Sequence, residues 1–202
     1  IVIENVFDEL IKSSIISEDF ELDDIYLQDR IYLIVQLRMK SKGEKYQFSF
    51  RCPSCGSDSV CGVNFENLPV KQKPEKLENN KIQVIDDVYV YLDYITRGDQ
   101  KEAYSRIEFS DNTTENQIQT EMTLNTIAAG IKEVETPDGK EKLENFEDKL
   151  FIVHKTTFQK FQELKEWYTN NDFGIDLTIK VKCQHCNFES EPQQIRVDSN
   201  FF

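Results

Sequence analysis

Tyr46-Gln47-Phe48-Ser49-Phe50-Arg51 runs into Cys52-Pro53-Ser54-Cys55-Gly56, and Leu177-Thr178-Ile179-Lys180-Val181-Lys182 runs into Cys183-Gln184-His185-Cys186-Asn187. In each run apolar and polar residues alternate with the period of a half-buried strand. The two Cys-x-x-Cys pairs lie 131 positions apart, and the strand-like runs before them keep that same offset. Two residues between cysteines let one tight turn present both thiolates to a single metal, and four thiolates at about 2.3 Å complete a tetrahedral zinc site. Gly56 and Asn187 follow the pairs, and both residue types tolerate the left-handed backbone that turns N–H groups toward sulfur. The pattern predicts two strand–knuckle–strand hairpins facing each other across one structural zinc ion held by Cys52, Cys55, Cys183 and Cys186. Zinc ribbons usually space such pairs by roughly 15–20 residues. Here 56–182 intervene, so the fold expected is α+β: a split zinc ribbon with N-terminal helices and an inserted mixed strand/helix domain.

Other fates for these thiols fit the pattern less well. A disulfide would suit an oxidising compartment, whereas paired Cys-x-x-Cys motifs in a chain of this kind suit a metal and a reducing one. A redox pair of the thioredoxin type would open a helix after a strand, and neither pair precedes an amphipathic run. Four cysteines would leave zinc no open position for catalysis. Cys61 is a fifth thiol, read as a small apolar strand residue beside Val60 and Val63. His185, inside the second knuckle, is an alternative ligand. His154 follows Phe151-Ile152-Val153 and is expected to be a packed histidine.

The 202 residues suffice for one or two domains with a real core, and 39% hydrophobic and 30% charged residues fit a folded, soluble chain. No apolar run approaches the roughly 20 residues of a membrane span, and Ile1-Val2-Ile3-Glu4-Asn5 does not read as a signal peptide. The formal charge of −13 opposes binding to a nucleic-acid backbone and suits protein partners. Lys71, Lys73 and Lys76 are interleaved with Glu75 and Glu78, the composition of a solvated loop. No Gly-rich phosphate loop and no Gly-x-Ser-x-Gly elbow is present, and two histidines give little material for a triad. An enzyme is not expected.

Along the chain, 2–13 reads as a helix with Val6, Phe7, Leu10 and Ile11 inward. A second helix, capped by Asp23 and Asp24, runs to about Lys42 on Leu27, Ile31, Ile34, Val35 and Leu37, and Gly43 stops it. The first hairpin covers about 45–66 and a linker 67–81. Short strands near 82–85 and 88–94 follow, then a helix from 99 to 108 with Asp99 and Glu102 as its cap. Thr114 and Gln117 open a helix to about Ala129. A hairpin turns at Pro137-Asp138-Gly139, and helices near 144–153 and 156–170 follow, the last carrying Phe158, Phe161, Leu164 and Tyr168 with Trp167 beside them. Gly174 starts the strand into the second knuckle. The domains expected are 1–43 (N-terminal helices), 44–66 with 174–198 (split ribbon), 67–173 (inserted domain) and 199–202 (tail).

Several stretches together resemble the baseplate hub assembly proteins of contractile-tailed, T-even-like bacteriophages. They are Asp29-Arg30-Ile31-Tyr32-Leu33, Leu37-Arg38 and Ser41-Lys42-Gly43, then Tyr46-Gln47-Phe48 before Cys52-Pro53-Ser54-Cys55-Gly56. Asn64-Phe65-Glu66-Asn67-Leu68, the late pair Cys183 and Cys186, and the terminal Phe201-Phe202 complete the pattern. Asn187 stands where a glycine would be more typical. The resemblance implies a non-enzymatic role in virion morphogenesis, as a structural component or assembly factor of the baseplate central hub. It implies hub and tail proteins as partners, and the host cytoplasm during assembly or the virion tail baseplate as location. It supplies no catalytic residue and carries the four cysteines over as a structural metal site.

On that reading the partner-binding surfaces are the helix bearing Arg38, the acidic connector at 17–24, and the tail residues Phe201 and Phe202. Those two rings either anchor in a partner's pocket or fold back on the core. The competing class is a zinc-ribbon nucleic-acid-binding or transcription-associated module, using Arg51, Lys180, Lys182 and Arg196; Asp58, Glu189 and Glu191 offset that charge.

Overall fold

Alternation at the first cysteine pair produces the longest strand pairing among the described residues. β1 (Lys45–Arg51) and β2 (Asp58–Asn64) run antiparallel, with Lys45 opposite Asn64 and Arg51 opposite Asp58. The computed structural model describes residues 2–107, 113–198, 201 and 202, with the side chains of residues 2 and 3 left aside. It is a mixed α+β structure with six helices among the described residues and several small sheets. The chain divides into two units. One comprises 1–20, 28–72 and 173–202, the other 21–27 and 73–172.

The first unit carries the hairpin. Helix α1 (Val2–Ser14) buries Phe7 and Ile11, while Val6, expected inward, is 61% exposed. Helix α2 (Leu27–Lys42) buries Ile34 and Val35, and also Arg30 and Arg38, one turn away from them on either side. Arg30 is satisfied by α1: its Nε donates to Asp8 at 2.8 Å, Nη2 to the Glu4 carbonyl at 2.9 Å, and Nη1 pairs with the Glu4 carboxylate at 2.8 Å. Such a buried ion pair is tolerable only because further hydrogen bonds satisfy the guanidinium. Gly43 ends α2 at φ 87°, as its freedom from a Cβ allows. The stretch expected to be plain linker includes β3 (Val70–Lys71), which pairs with β8 (Gly174–Ile175). β9 (Thr178–Ile179) pairs with β10 (Gln193–Gln194).

The second unit is an antiparallel sheet in the order β4 (Lys81–Ile85), β5 (Val88–Leu92), β6 (Ile131–Thr136), β7 (Gly139–Lys142). Ile82, Val84, Val90, Leu92, Ile131 and Val134 face the core. β7 is Gly-Lys-Glu-Lys, exposed throughout, a charged edge that discourages further strand pairing. Four helices accompany the sheet: α3 (Arg97–Ser105), α4 (Glu115–Gly130), α5 (Phe146–Lys155) and α6 (Phe158–Asn170). Trp167 on α6 donates its indole N–H to the Glu78 carbonyl at 3.0 Å, and Tyr168 its hydroxyl to the Asp93 carbonyl at 3.3 Å.

Three boundaries differ from the sequence expectation. α2 starts at Leu27 because Asp23 and Asp24 lie in a 3-10 turn, Leu22–Asp24. The residues after that turn are drawn into extended pairing, with Arg97 N–H on the Ile25 carbonyl at 2.8 Å and Leu27 N–H on the Ile95 carbonyl at 3.1 Å. α3 is capped by Thr96, whose hydroxyl accepts from Asp99 N–H, while the Asp99 carboxylate accepts from Thr96 N–H. Asp99 is thus the third helical residue and not the cap, and α3 ends at Ser105, short of the expected 108, a position outside the described residues. Thr114 and Gln117 form the box expected for α4. Phe158, placed inward by its spacing, is 79% exposed in the first turn of α6. His154 is exposed too, because the buried face of α5 runs through Phe146, Lys149 and Val153. No helix among the described residues is long and apolar enough to cross a membrane.

Candidate metal centre

Both knuckles are built by the same backbone bonds at the same offset. Cys52 N–H donates to the Ser57 carbonyl at 3.0 Å, and Gly56 N–H to the Cys52 carbonyl at 2.9 Å. In the second knuckle Cys183 N–H donates to the Phe188 carbonyl at 2.8 Å, and Asn187 N–H to the Cys183 carbonyl at 3.1 Å. Gly56 has φ 72° and Asn187 φ 58°, so the asparagine takes the left-handed turn that a glycine takes in its counterpart. β1 and β2 deliver the first knuckle from a regular ladder. The second hairpin is looser. Val181 N–H finds the Ser190 hydroxyl at 3.0 Å in place of a carbonyl, and Ser190 N–H returns to the Val181 carbonyl at 2.8 Å. The ladder resumes at β9 and β10 beyond Pro192, a residue with no N–H to donate.

The two knuckles bring Cys52, Cys55, Cys183 and Cys186 together with their sulfur atoms all within 4.8 Å of one another. The closest approaches run between hairpins, Cys52 to Cys186 at 3.6 Å and Cys55 to Cys183 at 3.8 Å. A tetrahedral ion with sulfur at about 2.3 Å requires sulfur–sulfur edges of about 3.8 Å. The donor set and its spacing therefore fit a metal of the zinc type. All five cysteines are free thiols. Cys52 and Cys183 are buried, Cys55 and Cys186 exposed, so the cluster sits at the surface with one thiol of each knuckle turned inward.

Electrostatics agree with the spacing. Backbone N–H groups of Cys186 and His185 hold the Cys183 thiol down to about 6. Bonds from the side chain and backbone of Ser57 hold Cys55 below the ordinary thiol range. At Cys186 the Phe188 N–H favours the thiolate, but burial and the three neighbouring sulfurs outweigh it and push the thiol up to about 11. Four sulfurs this close cannot all ionise without a cation among them, which is the electrostatic condition a bound metal relieves.

His185 is exposed and stands outside the cluster of four. Cys61 lies half-buried in β2, its thiol pushed up by burial and then by Cys183. Two supports were not read from the sequence. Ser59 is buried with its hydroxyl 3.9 Å from Cys183 Sγ, and Gln184 donates to the Val60 carbonyl at 3.0 Å, tying the second knuckle to β2. The signal for Ser59 was its place in the alternation of β2, where a buried polar residue implies a polar neighbour.

The expected partner-binding residues are placed differently from one another. Arg38 is buried, donating to the carbonyls of Phe201 at 3.1 Å, Gly43 and Lys45, and standing over the rings of Tyr46 and Phe65. Phe201 is buried against those same two rings, with centroids 5.6 and 5.5 Å away. Arg38 thus does not lie on the surface expected of it, whereas Phe201 takes the second of its two expected fates, folded back on the core. Phe202 keeps 38% of its surface exposed and rests on Phe7. Asn200, part of the expected tail, lies outside the described residues.

Comparison with curated proteins and with solved structures returned no match. The family described as T4 bacteriophage base plate protein matches residues 2–202. With that match spanning the hairpins, the cysteine cluster and all that lies between them, the chain belongs to the T4 bacteriophage base plate protein family.

Proposed function

We propose that this base plate protein is a non-enzymatic structural component or assembly factor of the baseplate central hub, built on a split zinc ribbon. Cys52, Cys55, Cys183 and Cys186 hold one structural zinc ion. The ion joins the hairpin at 44–66 to that at 174–198, with 1–43 as N-terminal helices, 67–173 as the insertion and 199–202 as the tail. The reading is supported above all by four sulfurs gathered within 4.8 Å from knuckles 131 residues apart. Metal binding of this kind is folding energy, because the site does not exist in the unfolded chain. Zinc here has no open position, so its role is to hold shape. Its partners are other baseplate and tail proteins, met in the host cytoplasm during assembly. Phe202, the exposed parts of α2 and the acidic connector at 17–24 are the surfaces offered to them.

The test is a tagged chain recovered from infected cells under non-denaturing conditions, with metal content measured on the same sample. Recovery of hub and tail proteins together with about one zinc per chain supports the reading. Zinc-free protein would remove the ribbon, and recovery of polymerase or nucleic acid in place of tail proteins would remove the hub role.

A further inference from the structure

Only every second residue of β1 is bonded to β2. The Glu44 carbonyl accepts from Phe65 N–H at 2.9 Å and Cys52 N–H donates to the Ser57 carbonyl at 3.0 Å, so in this register the even-numbered residues make the ladder. The odd-numbered residues turn their N–H and C=O the other way. Lys45 shows it, for its carbonyl is taken by Arg38 at 3.0 Å. The backbone groups of Gln47 and Ser49 lie along that same edge and meet no partner among the described residues. In β10 the Ile195 N–H bonds to the Leu177 carbonyl at 3.0 Å, which by the same alternation turns the backbone of Gln194 and Arg196 outward. These too have no partner among the described residues.

The two edges line one cavity of about 640 Å³, bounded by 46–49 and 193–196 with Ile179 and Asp198. A bare edge invites pairing, and chains usually blunt it with charge, proline or a bulge. Between Lys45 and Arg51, β1 has none of these. The same molecule does charge another edge, β7, with Lys140, Glu141 and Lys142.

We propose that the cleft between β1 and β10 takes one extended segment of a partner protein, which adds as a strand to the edge of β1 at 47–49. A single strand is the occupant because the cleft has a wall on either side. β1 of a second copy would arrive with its own β2 attached. On one face of β1 Gln47 and Ser49 are exposed, and on the other Tyr46 and Phe48 are half-buried. A strand laid beside them therefore alternates small uncharged polar residues with apolar ones, the cross-strand pairs that such neighbours favour. The charges of the cleft are Arg196 and Asp198, one of each sign, so charge selects little and the backbone carries recognition. That the partner is a baseplate or tail protein rests on the proposed function. A chain that binds such a strand but recovers no tail proteins would fail that reading and keep this one.

The probe is a short peptide alternating threonine and valine, with a lysine at each end for solubility, added to the full chain while amide exchange is followed by NMR. Without peptide the amides of Gln47 and Ser49 should exchange fast and those of Phe48 and Phe50 slowly. With peptide at about a hundred times its Kd the fast pair should slow about a hundredfold, and the slow pair should not change. Gln47→Pro removes only an outward N–H, and Ser49→Lys charges the edge; each should weaken the peptide about tenfold. Ser49→Ala should bind as wild type, because the backbone is what is read. The same peptide N-methylated on the amides that face β1 should not bind. The proposal is overturned by an absence of protection at Gln47 and Ser49, by undiminished binding to Gln47→Pro and Ser49→Lys, or by an N-methylated peptide that binds as well as its parent. Self-association of the peptide-free chain that protects the same two amides would overturn it as well, making a second copy the occupant.

Discussion

Gly130 and Lys149 show how single positions are decided by what surrounds them. A Cβ built on Gly130 would stand 1.5 Å from the Tyr168 hydroxyl and 2.8 Å from Cζ, so glycine here makes room for the Tyr168 bond to the Asp93 carbonyl. Gly130→Ala should cost about 1–3 kcal/mol by urea denaturation, and the penalty should shrink in a Tyr168→Phe background, where the offending oxygen is gone. Additive losses in the double variant would refute that account. Lys149 is pushed below its ordinary 10.5 chiefly by burial and then by Lys132, with Asp99, Glu102 and Glu144 opposing. The unfolded chain then holds this proton more tightly than the folded one. Stability should rise as pH climbs from the depressed folded value toward 10.5, and Lys149→Met should abolish that part of the rise while raising the melting temperature at neutral pH. A variant with an unchanged pH slope would show that the ammonium is already neutralised in solution. Neither position was legible in the sequence: a helix-ending glycine and a lysine among Glu, Asp and Phe look ordinary until the facing side chain is known.

Elements with strong local rules were readable, and those settled by distant pairing were not. The alternation at 46–51 became β1, the Thr114–Gln117 box became the start of α4, and Gly43 stopped α2. The start of α2 was misread because Ile25 and Tyr26 are held by 95–97, far along the chain. The stripe on α2 was read as aliphatic, yet its buried ends are Arg30 and Arg38; the acceptors of Arg30 come from α1, and those of Arg38 from the tail and from Gly43 and Lys45 just past the helix. The tail itself is an element by virtue of packing alone. Phe201 lies against Tyr46 and Phe65 while Arg38 holds its carbonyl. Phe201→Ala should therefore cost about 3–5 kcal/mol in chemical denaturation, with zinc content unchanged. A near-neutral effect would mean that the ring leaves its place in solution.

For the whole molecule, the four cysteines were legible as a set because their spacing and flanks repeat at one offset, whereas the partition into units needed coordinates. The chain enters the first unit, leaves it at 21–27, returns, and leaves again for 73–172. Removing the metal should act on the hairpins first. With a strong chelator, amide exchange should accelerate across 45–64 and 177–195, and added zinc should restore protection. Cys183→Ser should lose the ion and cost more than about 4 kcal/mol, beyond an ordinary single substitution; an unaltered melting curve for that variant would end the metal reading. The distance in sequence between the knuckles also sets an order of events at the ribosome. Cys52 and Cys55 emerge first and wait, half a cage, until Cys183 and Cys186 follow 131 residues later. On the proposed zinc site, capture of the ion would thus come late in synthesis, and a polypeptide released before its second knuckle would lack the means to close the first.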